Sequence, residues 1–371
     1  MLIQRKDLFG WSAFFHRAIG LWPEDDQFLG VYWWIKSYFV IFVTVGGLIF
    51  HLSSVANRKD NLNLTEFVLE ALVAALAIAK SVPIVVNRTN VLKILSMTLE
   101  FNLTSKETLN EKHISDGWFK LQNRLIKFFI RSYTLVTVLY FLIPWLTNQT
   151  NVFPLKGYMP DYLYTTPGFQ IVYFIEVIVY IIRFIGAVSC DLYCTTFICQ
   201  LFSELQIVQY KLTTLKKCRQ SLIRIIQQHA KVLDHGYMIS KNFSIVFLLQ
   251  HVLLSMIVCF SGLNALYTDS LAVIVKMLSF LSLALVECFF ICLIGEQIKE
   301  ESLKVANNLE DIYDECLDDL VIRKLINFVH LRAQKPLELK FGKYTVINLQ
   351  FYCETLKTIF SLSTVFKTMI K

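Results

Sequence analysis

The sequence predicts an all-α polytopic membrane protein with seven transmembrane helices, a cytoplasmic N-terminus and an extracellular C-terminus, its helices extending into a cytoplasmic anchor. Three observations predict it. Seven apolar stretches reach or approach the length of a bilayer crossing, since a hydrocarbon core of about 30 Å needs roughly 20 residues rising about 1.5 Å each. The chain of 371 residues is 55% hydrophobic and 14% aromatic with a mean hydropathy of +0.51, values foreign to a soluble domain of that size. Finally, Lys and Arg crowd every second connection between the apolar stretches.

Residues 1–36 form a cytoplasmic N-terminal segment. It lacks an unbroken apolar run and contains Asp7, His16 and Arg17, so it does not read as a cleavable signal peptide, and the first span is expected to be an uncleaved anchor. Trp22, Pro23, Trp33 and Trp34 precede that span, where aromatic rings favour the membrane interface. Six spans follow within 37–294, at 37–55, 64–86, 128–146, 169–199, 243–267 and 271–294. The segment 295–343 is charged in both signs and returns to the cytoplasm, and 344–371 carries the seventh span, 344–369, with a short outer tail.

Orientation follows from the connections. The N-terminal segment has four basic residues, and the second, fourth and sixth connections have seven, seven and eight; the other side has two, one, none and one. Because positive residues stay inside, 26 against four places the N-terminus in the cytoplasm, and an odd number of spans puts the C-terminus outside. The net charge of +7 is thus a topology signal and no nucleic-acid surface, which would gather those charges on one face.

Several basic connections are helical themselves. Leu205, Val208, Leu212 and Leu215, then Leu222, Ile225, Ile226 and Leu233, recur at helical spacing, so spans are expected to continue several turns beyond the bilayer. In 295–343 a stripe through Leu309, Ile312, Leu320, Leu325 and Phe328 suits an assembly surface or a satellite core, and Pro336 closes the segment.

All nine cysteines fall in spans or inner segments, which argues against an outer disulfide, and no spacing of Cys or His suggests zinc. Phosphate loops, HExxH and GxSxG are absent and the histidines are scattered, so an enzyme finds no support and no cofactor is implied. A DRY-like triplet and an NPxxY-like segment are also missing, as is the internal repeat of a secondary transporter. Among the sequons, Asn148 falls in the third connection, outside, and is the candidate glycan site. Charged residues within spans are costly in lipid and therefore informative: Glu70, Lys80, Arg131, Glu176, Arg183, Asp191, Lys276 and Glu287. Glu176 and Arg183 share a helix face and can pair with each other or with neighbours. Lys276 or Glu70 is expected to border the ligand vestibule, although buried ion pairing alone would also account for them.

The run Arg332, Ala333, Gln334, Lys335, Pro336, Leu337, Glu338, Leu339, followed by Gly342 and Lys343 and the stretch 349–365, resembles the C-terminal signature of insect odorant receptors. The resemblance extends to Gly20, Leu21, Trp22 and Pro23, to Pro160 and Pro167 in the outer loop, and to Gly295, Glu296, Ser302 and Tyr313 after the sixth span. Phe360 and Leu362 stand where many members have Tyr. A gustatory receptor of the same superfamily is disfavoured by the 332–336 run and by the absence of a TYxxxxxQF-like ending.

The resemblance implies an odorant-gated cation channel subunit that assembles with a shared co-receptor into a heterotetramer in the lipid bilayer of an olfactory neuron. The long insertion of the co-receptor between the fourth and fifth spans is absent, so the chain resembles the divergent tuning subunit. Seventh spans would line the pore, with Val365 and Met369 at the gate and Thr368 facing the ions. The small hydroxyls of Thr358, Ser361, Ser363, Thr364 and Thr368 suit a water-lined path, and also suit ordinary helix packing. A small volatile organic ligand would bind in the outer half, among the second, third, fourth and sixth spans. The candidate lining is Phe67 and Ala71; Val138, Phe141 and Trp145 on one face; Tyr173, Val177 and Tyr180; and Met277 and Leu281.

Overall fold

In the computed structural model the described residues are 9–11, 13–15, 17, 27–56, 61–104, 108–146, 168–215, 219–315, 320–342 and 345–370. Helix α1 runs Gln27–Ala56, α2 Asn61–Val86, α3 Arg88–Thr104, α4 Leu109–Leu146, α5 Gly168–Thr213, α6 Arg219–Tyr267, α7 Leu271–Glu315, α8 Leu320–Ala333 and α9 Leu349–Ile370, with strands β1 Lys340–Phe341 and β2 Thr345–Val346 between the last two helices. Helices α1, α2, α4, α5, α6 and α7 are long and apolar enough to cross a membrane.

The lengths explain the shape. Helices of 38, 46, 49 and 45 residues (α4 to α7) outrun a bilayer, which about 20 residues suffice to cross. Their excess turns all lie at the end rich in Lys and Arg. There the largest apolar cluster forms, joining Ile94 of α3, Leu205 and Val208 of α5, Val232 of α6, Val305 and Leu309 of α7 and Ile326 of α8. Phe9 reaches into the same core and meets the Phe197 ring edge-on at 5.9 Å.

Two local features differ from the sequence expectations. The apolar stripe assigned to 309–328 is split. Leu309 and Ile312 are buried, but α8 buries Ile322, Ile326, Val329 and Ala333, spaced four, three and four residues apart on one face. Leu320 and Phe328 belong to the opposite face, which is exposed together with Val321 and Leu331. The periodicity is helical in either phase, and only the neighbours α6 and α7 choose between the two faces.

The last helix also begins later than residue 344. Strands β1 and β2 pair antiparallel, Lys340 opposite Val346 and Phe341 opposite Thr345, around a turn in which Gly342 takes φ +60°, a conformation glycine adopts without a Cβ penalty. Ile347 donates its N–H to Leu339 at 2.9 Å and closes the hairpin. Asn348 then caps α9, its Oδ1 accepting from the Phe351 N–H at 2.8 Å, while Glu296 Oε2 of α7 accepts from Leu349 at 3.3 Å. A Cβ at Gly295 would overlap the Ile347 carbonyl, so glycine lets the hairpin close against α7.

Helix α9 packs on α6 and α7 along one side only. His251 Nε2 meets Thr355 Oγ1 at 3.0 Å, Phe289 meets the Tyr352 ring at 5.5 Å, and Ile359 is buried. Lys357, Thr358, Phe360, Ser361 and Thr364 are exposed on the rest of the helix.

Candidate functional site

An apolar cavity lies between α2, α4, α5, α6 and α7. Its walls are mostly aliphatic and aromatic, including Val73, Leu76, Val136, Phe184, Leu254, Ile257, Phe280 and Leu283. Glu70, Thr137, Tyr180, Arg183, Tyr133 and Glu287 supply the polar points. A lining of this kind suits a small apolar ligand oriented by a few polar contacts.

The end of the cavity nearer the charge-poor side is roofed by aromatic rings. Tyr140 and Tyr180 stack at 4.9 Å with their planes 18° apart, Phe141 meets Tyr180 at 5.1 Å, and Phe280 lies edge-on to Tyr140 at 6.0 Å. The Tyr140 hydroxyl donates to Glu70 Oε1 at 2.7 Å. Lys276 Nζ stands 3.5 Å from the same carboxylate oxygen and 4.3 Å from the centroid of the Tyr140 ring. One tyrosine therefore serves the pair twice, as hydrogen-bond donor to the anion and as π face to the cation.

The opposite end is floored by charge. Lys80 Nζ of α2 is fully enclosed and lies 2.7 Å from Asp191 Oδ2 of α5 and 2.9 Å from Glu287 Oε2 of α7. Tyr133 of α4 hydrogen-bonds both carboxylates, at 2.8 Å to Asp191, and Gln250 of α6 donates to Asp191 at 3.3 Å and to Glu287 at 3.2 Å. A phenol has one proton, so Tyr133 donates to one carboxylate at a time. Five helices are thus pinned by one cluster, and none of its groups could be left in hydrocarbon unpaired without a cost of several kcal/mol. Beyond this floor lies a second, smaller space, lined by Asp191, Gln250 and Glu287 on one side and by Phe247, Ile294 and Leu339 on the other. Leu339 leads into β1, and hence the floor is connected to the hairpin that sets α9.

Arg183 occupies the cavity wall toward α1. Its Nη1 lies 3.2 Å from His51 Nε2, and its guanidinium fills the room left by Gly47, where a Cβ would overlap it. Glu70 and Glu176 lie near enough to act on its charge. The neighbour within hydrogen-bonding distance of Arg183 is thus His51, with Glu70 and Glu176 acting on its charge from further away.

Of the ten residues expected to contact ligand, Tyr180 lines the cavity. Phe67 and Ala71 are buried in α2, Met277 is buried in the cluster around the roof, and Phe141 and Leu281 are half-buried against that cluster. Tyr173 and Val177 are half-buried beyond the roof, and Val138 is exposed on the outside of the bundle. Trp145 is in α4 with its side chain outside the described residues, as are the side chains of Val365, Thr368 and Met369 in α9, and Asn148 falls outside them altogether. Lining residues such as Ala77, Thr137, Phe184 and Ala284 stand roughly one to two turns nearer the basic end than the expected set. Large rings fill the space further out. The sequence reading also left out α6, which contributes Leu254 and Ile257. The intramembrane charges were the signal that could have found this depth, since Glu70, Arg183 and Glu287 all line the cavity. Arg131, by contrast, is exposed.

Among the described residues no group of His, Cys, Asp and Glu is placed to hold a metal ion.

The sequence profile described as "7tm Odorant receptor" matches residues 63–360. Two solved structures share the fold: the insect olfactory receptor OR5 from Machilis hrabei in complex with eugenol, with a TM-score of 0.83 and 16% identity over 99% of each chain, and the same receptor without that ligand, with a TM-score of 0.82 and 16% identity over 98% of each. No curated protein matches the sequence.

Proposed function

This chain belongs to the 7tm odorant receptor family, a family of multi-pass helical membrane receptors and not of enzymes, and we propose that it is a tuning subunit that binds small volatile apolar molecules and gates a nonselective cation channel formed with a co-receptor. The observation that carries the reading is the apolar cavity whose walls, α6 and α7, are the helices on which α9 is packed. A ligand that shifts α6 against α7 shifts the seat of α9. The solved Machilis hrabei receptor with eugenol supports placing a small organic ligand inside this fold.

In this reading the basic end of the bundle is cytoplasmic, by the excess of Lys and Arg there. The open face of α9 lines a pore on assembly, with Val365 and Met369 narrowing it and Thr368 facing the ions. The exposed apolar face of α8, with Leu320, Phe328 and Leu331, suits contact with another subunit. The short connection between α5, ending at Thr213, and α6, starting at Arg219, has no room for the co-receptor insertion. Phe67, Ala71, Val138, Phe141, Trp145, Tyr173, Val177, Met277 and Leu281 then act around the entrance, outside the Tyr140–Tyr180 roof, while Tyr180 touches the ligand itself. Asn148 carries the glycan, and the protein works in the plasma membrane of olfactory sensory neurons.

The test is whole-cell current from cells expressing the chain with and without an insect co-receptor, without added G-protein components, during exposure to a broad odorant panel. Ligand-evoked cation current that requires both subunits is expected. Current from this chain alone would overturn the tuning-subunit assignment, and surface expression with the co-receptor but no current to any ligand would overturn the channel reading.

A further inference from the structure

The cavity is apolar except at a few points, and one of them is a donor without an acceptor. Arg183 is 4% exposed, and of its three guanidinium nitrogens Nε and Nη2 have no hydrogen-bond partner among the described residues. Nη1 is engaged by His51, which leaves Nε and Nη2 as donors without an acceptor on a side chain that lines the cavity. Other polar groups of the lining are already served. Glu70 accepts from Tyr140 and pairs with Lys276, while Glu287 and Tyr133 are taken up by Lys80 and by each other.

A buried donor with no acceptor costs free energy, and a ligand that supplies one recovers it. We propose that the cavity selects neutral volatile molecules carrying a hydrogen-bond-accepting oxygen, a carbonyl above all, which Arg183 receives while the alkyl or aryl body fills the space between the Tyr140–Tyr180 roof and the Lys80 floor. This rests on the cavity being the ligand site. Neutrality follows from the balance of charge: Arg183, Lys80 and Lys276 are matched by Glu70, Glu176, Asp191 and Glu287, which leaves no surplus of positive charge for an anionic ligand in a medium of low dielectric. A hydrocarbon of the same skeleton would gain the same apolar burial but leave the Arg183 donor unmet. A bond to a charged donor in such a site is worth roughly tenfold to a hundredfold in affinity.

The experiment uses the purified full chain in lipid nanodiscs, and reads the shift in its thermal unfolding midpoint against octan-2-one, octane and octanoate. Octan-2-one is expected to stabilise at concentrations at least tenfold lower than octane, with octanoate no better than octane. Arg183→Met should bring octan-2-one to the level of octane, and Arg183→Lys should keep part of the difference. Equal stabilisation of the unsubstituted chain by octane and octan-2-one overturns the proposal even if Arg183→Met does not fold, and so does a ketone preference that survives in a cooperatively unfolding Arg183→Met chain. Tighter binding of octanoate than of the ketone overturns the neutral class. Stabilisation by neither ketone nor hydrocarbon defeats the proposal together with the cavity as ligand site. Stabilisation by the ketone without any current in the co-expression experiment supports the proposal and defeats only the channel reading.

Discussion

The bundle around the cavity and the basic end of the molecule bury polar groups by opposite means. Around the cavity, charge is kept and partnered: Lys80 with Asp191 and Glu287, Lys276 with Glu70, Arg183 with His51. At the basic end many charges are left on the surface, as in the exposed pair Lys231 and Glu100, two carboxylates are buried with partners, Glu111 with Lys211 and Glu204 with Gln228, and the buried titratable rings are neutral. Burial pushes His235 down to about 4, and burial with help from Arg332 pushes His229 down to about 4. His235 keeps a bond of 3.0 Å to Thr98 Oγ1, which a neutral imidazole can make. The difference teaches where a charge is affordable. A helix bundle in lipid has no water to return a charge to, so a retained charge must bind its neighbours, whereas helices that project from the bilayer can turn charge outward and fill their core with apolar and neutral groups.

Removing the cation of the floor cluster should break the first region most severely. Lys80→Met leaves Asp191 and Glu287 facing each other in a buried site, at a cost of about 3–5 kcal/mol. A large fall in the unfolding midpoint and in surface delivery is expected, and the combined change Lys80→Met, Asp191→Asn, Glu287→Gln should restore much of it. If the single change and the triple change melt alike, the cluster is not held by charge.

Acid should act on the second region. The two histidines are neutral in the folded chain, while their unfolded counterparts take up protons below about pH 6.5. Stability is therefore full above that pH, declines as pH falls from about 6.5 to about 4, and levels off below, reaching a loss on the order of 2 kcal/mol per histidine at pH 5. Comparing unfolding midpoints of the unsubstituted chain and His235→Gln from pH 7.5 to 4.5 isolates this contribution, and the variant should show a shallower decline. Parallel profiles would mean that His235 is not kept neutral by its burial.

The smallest effect is expected at the roof, where the ion pair is longer and shared with a ring. Tyr140→Phe removes the hydroxyl bonded to Glu70 but keeps the stack with Tyr180 and the face under Lys276, so stability should fall by only about 1 kcal/mol. Ligand affinity should move more than the melting temperature, because Glu70 lines the cavity and is left to turn into it. A loss as large as that of Lys80→Met would erase the contrast between roof and floor.

How much of this was legible in the sequence depended on how local the cause was. Span number, the long inner extensions and the charged positions within spans follow from hydropathy and from spacing along one helix. The phase of α8 did not, because Leu320 and Phe328 are as apolar as the Ile322 and Ile326 that pack. Nor did the hairpin at 340–346, where Thr345 and Val346 read as the start of the last span until pairing with Lys340 and Phe341 took them. The lining of the cavity was out of reach for the same reason: Phe141 and Tyr180 look like ligand contacts when each helix is taken alone, and in the fold they pack on each other and on Tyr140 where α4 and α5 meet.

By itself the sequence determined that the chain is a bundle of membrane-crossing helices, because hydropathy and basic-residue bias act on each segment separately. The partner of each buried charge was decided only by the tertiary structure. Lys80, Tyr133, Asp191, Gln250 and Glu287 come from five different helices, and where they meet their hydrogen bonds are satisfied away from water. The space between that cluster and the aromatic roof is what the packing leaves over, and it has no signature in any one segment.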